Sequence, residues 1–316
     1  MKMARYLARR LALLVPVLLG ISLIVFLSVR LLPGDVAQVM LGAESTPQAL
    51  RQLREELGLD RPWPAEYLRW LAGMARGDWG RSLRTQFRVA ELIARKLPAT
   101  VELAAAALLL AAAVGIPLGI LGGIHRGSWW DRILSTAFTA GISMPGFGVG
   151  TLLILALAVH RTWLPSSGYV PFSQEPLRNL LYLLLPAAAL SVNAVCAVGR
   201  MARAAMIDTE QSPYARFAEA KGLPPGRIFW RHRLLNALGP VVSLLGLESG
   251  YLLAGAVLIE TLFGWPGMGK LLADSIFERD YPVVQTVVVL NCAVFLVMNL
   301  GAELATAWID PRNRPQ

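Results

Sequence analysis

Gly264-Trp-Pro-Gly-Met-Gly269-Lys270 fills the first seven positions of a G-x-x-x-x-G-K loop, the backbone cradle of many phosphate sites. The eighth position of such a loop carries a serine or threonine whose hydroxyl holds magnesium, and here it is Leu271. No strand-like run precedes the segment, so nucleotide binding is not expected there. No H-E-x-x-H pair offers itself to zinc, and His125 and Asp131 are separated by five residues with no nucleophile beside them. His125, His160 and His232 fall in loops or at the ends of apolar runs. Cys196 and Cys292 fall inside such runs, where they read as small packing residues. The chain is not expected to be an enzyme, and no cofactor or metal is expected on it.

The elements that hold these residues are membrane spans. Of 316 residues, 55% are hydrophobic and only 16% are charged, well under the quarter usual for a soluble domain. A bilayer core needs roughly 20 apolar helical residues to cross it. Six runs qualify: Leu11–Val29, Leu103–Ile124, Ile133–Val159, Asn179–Gly199, Leu234–Ile259 and Tyr281–Ala302. The first follows Lys2, Arg5, Arg9 and Arg10 like the apolar part of a signal peptide. No small-x-small cleavage site follows it, and it is read as an uncleaved span. Pro117, Pro145 and Pro186 lie within runs, where neighbouring helices can satisfy the freed carbonyls.

The net charge of +9 is a topology signal rather than a nucleic-acid footprint. With the N-terminus inside, segments 1–10, 125–132, 200–233 and 303–316 hold 15 Lys/Arg, against 4 in the short outer loops 160–178 and 263–280. That asymmetry predicts both termini in the cytoplasm. Residues 32–96 form a long outer loop, a length at which charge no longer decides side. Thr46-Pro47 is a helix start, Gly58 its end, and Leu50, Leu53 and Leu57 its apolar face. A second helical stretch runs from Pro64 through Tyr67, Leu68, Trp70 and Leu71. A small helical cap on the outer face is expected.

The inner loop 206–237 is the best punctuated. Ser212 caps a helix begun by Pro213, the helix runs to Lys221, and Gly222 supplies a left-handed end before Pro224-Pro225. Two readings stand: a rigid element that passes force to a soluble partner, or a basic loop beside anionic lipid. Two groups lie where polarity is costly, Glu248 and Asn193, each mid-run. Glu102 and Glu260, near the ends of runs, read as interfacial.

The stretches AEAKGL-PPGRIFWRHRLLNALGPVVSLLGLESG, GAVLIETLFGWPGMGKLLADSIFERDYPVVQ and WIDPRNR closely resemble permease subunits of bacterial ABC importers, in the dipeptide/oligopeptide/nickel branch. RYLARRLALLVPVLLGISLIVF, LLPGD at 31–35, ELGLDRP at 56–62, YLRWLAGMARGDWGRSL at 67–83 and LPATVEL at 97–103 extend the likeness over nearly the whole chain.

The resemblance implies an all-α polytopic type I permease fold with about six spans. It implies segments 1–31 for the tail and first span, 32–96 for the outer loop, 97–309 for a five-span core and 310–316 for a cytoplasmic tail. It implies that Arg216, Phe217, Ala218, Glu219, Ala220, Lys221, Gly222 and Leu223 form the coupling segment docked on an ATPase subunit. Of the family's E-A-A-x-x-x-G hallmark only the second alanine, Ala218, and Gly222 remain, and Glu219 stands where the peptide branch commonly has arginine. An ion pair at 219 is therefore not carried over. Gly264, Trp265, Pro266, Gly267 and Gly269 correspond to the outer lid loop.

The implied partners are a second permease subunit, two ATPase subunits or domains carrying ATP and magnesium, an extracytoplasmic binding protein and the lipid bilayer. The implied location is the bacterial inner membrane. Glu248, where glutamine is more usual, and Asn193 are candidates for the translocation path. Glu248 then either attracts a cationic part of a substrate such as a peptide amino group, or is hydrogen-bonded between helices. Dipeptides or oligopeptides are the expected cargo, with a nickel chelate or glutathione as the alternative. A membrane receptor, scaffold or enzyme is the rival of another class.

Overall fold

The computed structural model describes residues 2–31, 46–48, 50, 51 and 62–309, and the elements among them are helices. Five are long and apolar enough to cross a membrane, and a bent pair makes a sixth crossing if counted as one.

Helix α1 (Lys2–Leu31) is apolar enough to cross over Arg10–Ser28, and Arg10 at the N-terminal edge of that stretch pairs with Glu303 at 3.2 Å. Helix α2 (Trp63–Ala75) begins behind Pro62 and Pro64 and leans on α1. Its Tyr67 and Trp70 rings lie 5.4 and 6.0 Å from the Phe26 ring. The Tyr67 hydroxyl donates to the Leu19 carbonyl at 3.2 Å and lies 2.9 Å from the buried Ser22 hydroxyl. Leu19 is midway along the span, so this part of the expected outer cap reaches down beside α1 rather than resting above it. Hydroxyls deep in an apolar layer need partners, and these two satisfy each other. The helix expected from Thr46 shows its first turn, with Leu50 N donating to Thr46 O at 3.0 Å. Leu53, Leu57 and Gly58, LPGD at 32–35 and the tail 310–316 lie outside the described residues.

Helix α3 (Val89–Ile124) is 36 residues long, starting well before the apolar run at Leu103. A π-helical turn at Ala111–Gly115 precedes Pro117, so the extra residue falls just where the proline removes a donor. Pro145 acts differently. The run Ile133–Val159 is not one straight span but α4 (Trp129–Ser143) and α5 (Gly146–His160), bent by 105°. Met144, immediately before the proline, takes an extended ψ of 130°, as sterics before proline demand.

Helix α6 (Pro176–Glu210) runs 35 residues, about 52 Å, and forms the centre of the bundle. Its closest neighbour is α3, through a G-x-x-x-G-x-x-x-G row of Gly115, Gly119 and Gly123. A methyl added at Gly115 would stand 2.7 Å from the Val195 carbonyl oxygen, and one at Gly123 would stand 2.7 Å from Met206 Cβ. Lipid gives apolar helices no hydrophobic reason to associate, so close backbone packing of this kind supplies the attraction. Ala104, Ala107, Ala111, Ala194, Val198 and Ala202 complete the seam.

After α7 (Pro213–Ala220), α8 (Pro225–Ala254) re-enters through a π-helical stretch at Ile228–Leu234. It then packs Gly246 on Ala302 and Gly250 on Phe295 of α11 (Tyr281–Ile309). Short helices α9 (Val257–Leu262) and α10 (Met268–Phe277) lie between α8 and α11.

Candidate functional site

The segment between α6 and α8 carries the first element. Helix α7 starts with the Ser212 hydroxyl accepting from Ala215 N at 3.4 Å, and the same hydroxyl donates to Thr209 O at 2.6 Å. Gly222 has φ +70°, its N–H donates to Glu219 O at 2.9 Å, and Leu223 N donates to Ala218 O at 3.3 Å. Those two bonds are the paired closure that ends a helix at a left-handed glycine. Ala215 and Ala218 turn inward and are buried, while Phe217 is 62% exposed with the Lys221 ammonium 4.5 Å from its ring centre. Tyr214, Arg216, Glu219, Ala220 and Lys221 are exposed too, and Leu223 is half-buried. Ala218 therefore holds α7 against the bundle rather than pointing outward. Arg216 and Glu219 make no ion pair among the described residues.

The base of this loop is closed by Arg233 of α8, whose guanidinium meets Glu210 at the end of α6. A second tie joins Asp131 of α4 to Arg203 of α6. Arg203 donates twice to the carboxylate, and Gly127 N adds a third bond at 2.9 Å. Neither partnership is visible in the sequence, where acid and base stand 23 and 72 residues apart.

The outer loop is a locked body. Gly264 turns with φ +62°, and fully buried Trp265 donates its indole N–H to Ala99 O at 2.8 Å. The Tyr169 ring meets Trp265 edge-on at 4.7 Å, and Gly168 N donates to Phe263 O at 2.9 Å, joining the two outer loops. Glu260, read from the sequence as interfacial, is fully buried and accepts from Thr100 Oγ1 at 2.7 Å and from Lys270 N at 2.9 Å. Thr100 Oγ1 in turn accepts from Met268 N at 2.7 Å. Burial pushes the Glu260 carboxyl above its ordinary range, opposed by bonds from Thr100 and from the amides of Lys270 and Gly269.

The amides that a phosphate loop would offer to a nucleotide are thus taken by the protein's own carboxylate. A methyl at Gly267 would fall on that carboxylate, and one at Gly269 would stand 2.6 Å from Val257 Cα. Pro266 is half-buried beside them.

The two mid-run groups differ. Asn193 of α6 faces the break between α4 and α5. With its amide turned to donate, Nδ2 lies 3.1 Å from Met144 O and 3.0 Å from Gly141 O. It adds a donor to the carbonyls at the Pro145 break, where Gly141 O also accepts from Met144 N at 3.3 Å, and Asn193 itself is exposed. Glu248 is half-buried and shares the helical stripe Val241, Leu245, Leu252 that faces α3 and α6. It makes no hydrogen bond or ion pair among the described residues, which leaves the interhelical hydrogen-bond reading without a partner. Glu102, also read as interfacial, accepts from Tyr169 at 3.2 Å and from Asn179, tying the outer ends of α3 and α6.

A core of packed spans, with the capped helix α7 at one end and the pinned 263–269 loop at the other, is that of a multi-pass membrane protein. Residues 115–315 match the family described as binding-protein-dependent transport system inner membrane component, and residues 3–104 match its N-terminal region. The chain belongs to that family, the permease subunits of ABC importers, and is a multi-pass inner-membrane protein.

It is 37% identical over 312 residues to the "Probable peptide ABC transporter permease protein y4tP" of Sinorhizobium fredii, covering 99% of this chain and 100% of the relative. It is 38% identical over 335 residues to the di/tripeptide transport system permease protein DppB of Pseudomonas aeruginosa, covering 99% and 100%. It is 36% identical over 312 residues to the glutathione transport system permease protein GsiC of Pectobacterium atrosepticum, covering 99% of each. In fold it is similar to a chain of the MetNI methionine ABC transporter in an inward-facing conformation. That match has TM-score 0.58 and 18% identity, covering 70% of this chain and 97% of that one.

Proposed function

We propose that this chain forms half of the translocation path of an ATP-driven importer of dipeptides or oligopeptides. The observation that carries the reading is α7: a capped, glycine-closed helix fastened to α6 and α8, with its aromatic and charged face turned out. A rigid lever of this form transmits displacement to spans, as a flexible basic loop does not. Two ATPase subunits, carrying ATP and magnesium, supply the energy. Their groove receives Tyr214, Phe217, Ala220 and Lys221, with Ala218 and Leu223 setting the helix's angle from within.

A second, similar permease completes the path, and an extracytoplasmic binding protein delivers cargo to the outer face. Both termini lie in the cytoplasm, supported by the distribution of Lys/Arg. This chain itself holds no cofactor. Glu248 lines the path, and the outer loop from Gly264 to Gly269 stays fixed while the bundles rock about it.

Peptide cargo is supported by the names of the relatives, and the glutathione relative, at similar identity, supports a short thiol peptide as the second reading. The test is uptake of labelled dipeptides and glutathione by cells with and without the gene. It is paired with impermeant labelling of Ser173→Cys and Ser212→Cys. Uptake lost on deletion and labelling at 173 alone are expected. Labelling at 212 in sealed cells would overturn the orientation, and unchanged uptake would overturn the transport reading.

A further inference from the structure

Between α2 and α3 the chain folds into a small, well-braced turn bearing an unusual concentration of positive charge. Gly77 and Gly80 take φ +80° and +77°, bending the chain sharply at Asp78-Trp79. Ser82 N donates to Phe87 O at 2.9 Å and Arg81 pairs antiparallel with Arg88, closing a miniature hairpin. Asp280 fastens this hairpin to the start of α11, accepting from the buried Ser82 hydroxyl and from Leu83 N at 3.0 Å. The result is a concavity of about 610 Å³ lined by Arg76, Asp78, Trp79, Arg81 and Arg88.

All three arginines are exposed, and none makes an ion pair with any described residue. The one carboxylate in the lining, Asp78, accepts instead from Gly80 N at 3.3 Å. Three arginines and one carboxylate line the braced cup, Arg81 also donating from Nη1 to Gln86 O at 3.2 Å, and this surplus of guanidinium suits carboxylates from elsewhere, since guanidinium and carboxylate match fork to fork.

The height of the cup selects the source. Arg88 immediately precedes α3, and the last charge before that helix turns apolar at Leu103 is Glu102. From Arg88 to Leu103 is fifteen residues, roughly 22 Å along the helix axis. A lipid headgroup layer is only about 5–8 Å deep, so the cup stands clear of phosphates and in the space of soluble extracytoplasmic proteins.

We infer that the cup of Arg76, Arg81 and Arg88 is the docking site for an acidic face of the extracytoplasmic binding protein. This rests on the importer reading above and adds to it a location and a chemistry. The cup steers and orients the loaded protein over the outer loop, because braced charges on a rim act mainly on encounter and on salt dependence.

The experiment uses the full chain reconstituted with its ATPase and permease partners in phosphatidylcholine vesicles. ATP hydrolysis is measured against the concentration of loaded binding protein at low and high salt. For Arg76→Glu with Arg88→Glu, the half-maximal concentration is expected to rise at least about tenfold at low salt, with unstimulated hydrolysis unchanged. The salt dependence of the unmodified complex should largely vanish. Arg76→Gln with Arg88→Gln should shift in the same direction by less, and still reads the cup if the doubly reversed variant fails to assemble.

Arg84→Glu, outside the cup and facing Glu278 at 3.9 Å, should move the curve by less than about twofold. An unchanged curve for both double variants overturns the proposal, as does an equal shift for Arg84→Glu. A shift appearing only when phosphatidylglycerol is added to the vesicles assigns the cup to lipid and overturns it too. No stimulation of the unmodified complex would instead remove the importer reading beneath it.

Discussion

Arg233 of α8 meets Glu210 of α6 across the base of the inner loop, so the two helices that carry α7 are joined where they leave the bundle. Glu210 is 47% exposed, and a partly solvated pair of this kind contributes about 0–1 kcal/mol. Its importance is geometric. Glu210→Gln should leave thermal stability within about 1 kcal/mol of the parent while lowering the ratio of stimulated to unstimulated ATP hydrolysis. A normal ratio would show that the clasp does not stiffen the lever.

Gly222 has open space around it, with nothing within 4 Å of an added methyl, yet its φ of +70° disfavours any side chain. Gly222→Ala should cost roughly 1–2 kcal/mol locally, and Gly222→Val more, from backbone strain alone. The spans lie elsewhere, so membrane insertion should be normal for both. Pull-down of the ATPase, together with stimulated hydrolysis, should fall in the order Gly, Ala, Val. Parent values for the valine variant would remove α7 from the coupling role.

Fully buried Glu260 fills the cradle formed by the amides of Gly269 and Lys270. Glu260→Ala strips buried donors of their acceptor at about 1–3 kcal/mol each, and Gly267→Ala forces a methyl onto the carboxylate. Both should lower the melting temperature of the solubilised protein and open the outer loop to protease added from outside. Glu260→Gln, which keeps one acceptor oxygen, should fall between. An unaltered cleavage pattern in all three would mean the loop is not pinned by this residue.

Asn193 holds the carbonyls of Gly141 and Met144 at the α4–α5 bend. Asn193→Ala should destabilise by about 0.5–1.5 kcal/mol, the net worth of such a hydrogen bond, and Asn193→Asp by at least as much, because an ionised carboxylate offers no donor to those carbonyls. Melting curves in detergent supply the comparison. Equal stability of asparagine and aspartate would exclude the brace.

Glu248 lacks a hydrogen-bonding partner among the described residues, so Glu248→Gln should preserve assembly. Competition between cationic and neutral dipeptides in vesicle uptake should then shift toward the neutral ones. Identical competition curves would end its path-lining role, whereas loss of the assembled complex would assign it to packing.

The membrane character, the approximate span count and the capped inner helix were legible from the chain because each is local. Apolar run length, Ser212-Pro213 capping and the left-handed end at Gly222 need no knowledge of distant residues. The break at Pro145 was legible as a proline but not as a 105° bend, since packing against neighbouring helices decides whether the chain turns there or continues. The same proline chemistry at Pro117 left α3 continuous through a π-helical turn.

What only the tertiary structure decided are the long-range partnerships: Asp131 with Arg203, Glu102 with Asn179, Ser82 with Asp280, and Glu260 with Thr100. Glu260 illustrates the physical reason. By position it is an acid at the end of an apolar run, where water or lipid headgroups suffice as its environment. The fold turns the Thr100 hydroxyl and two backbone amides toward it, and a carboxylate sealed from water must find donors wherever the packed chain presents them. Hydropathy and spacing record which residues leave water, but which donor meets which acceptor is fixed only when distant helices pack.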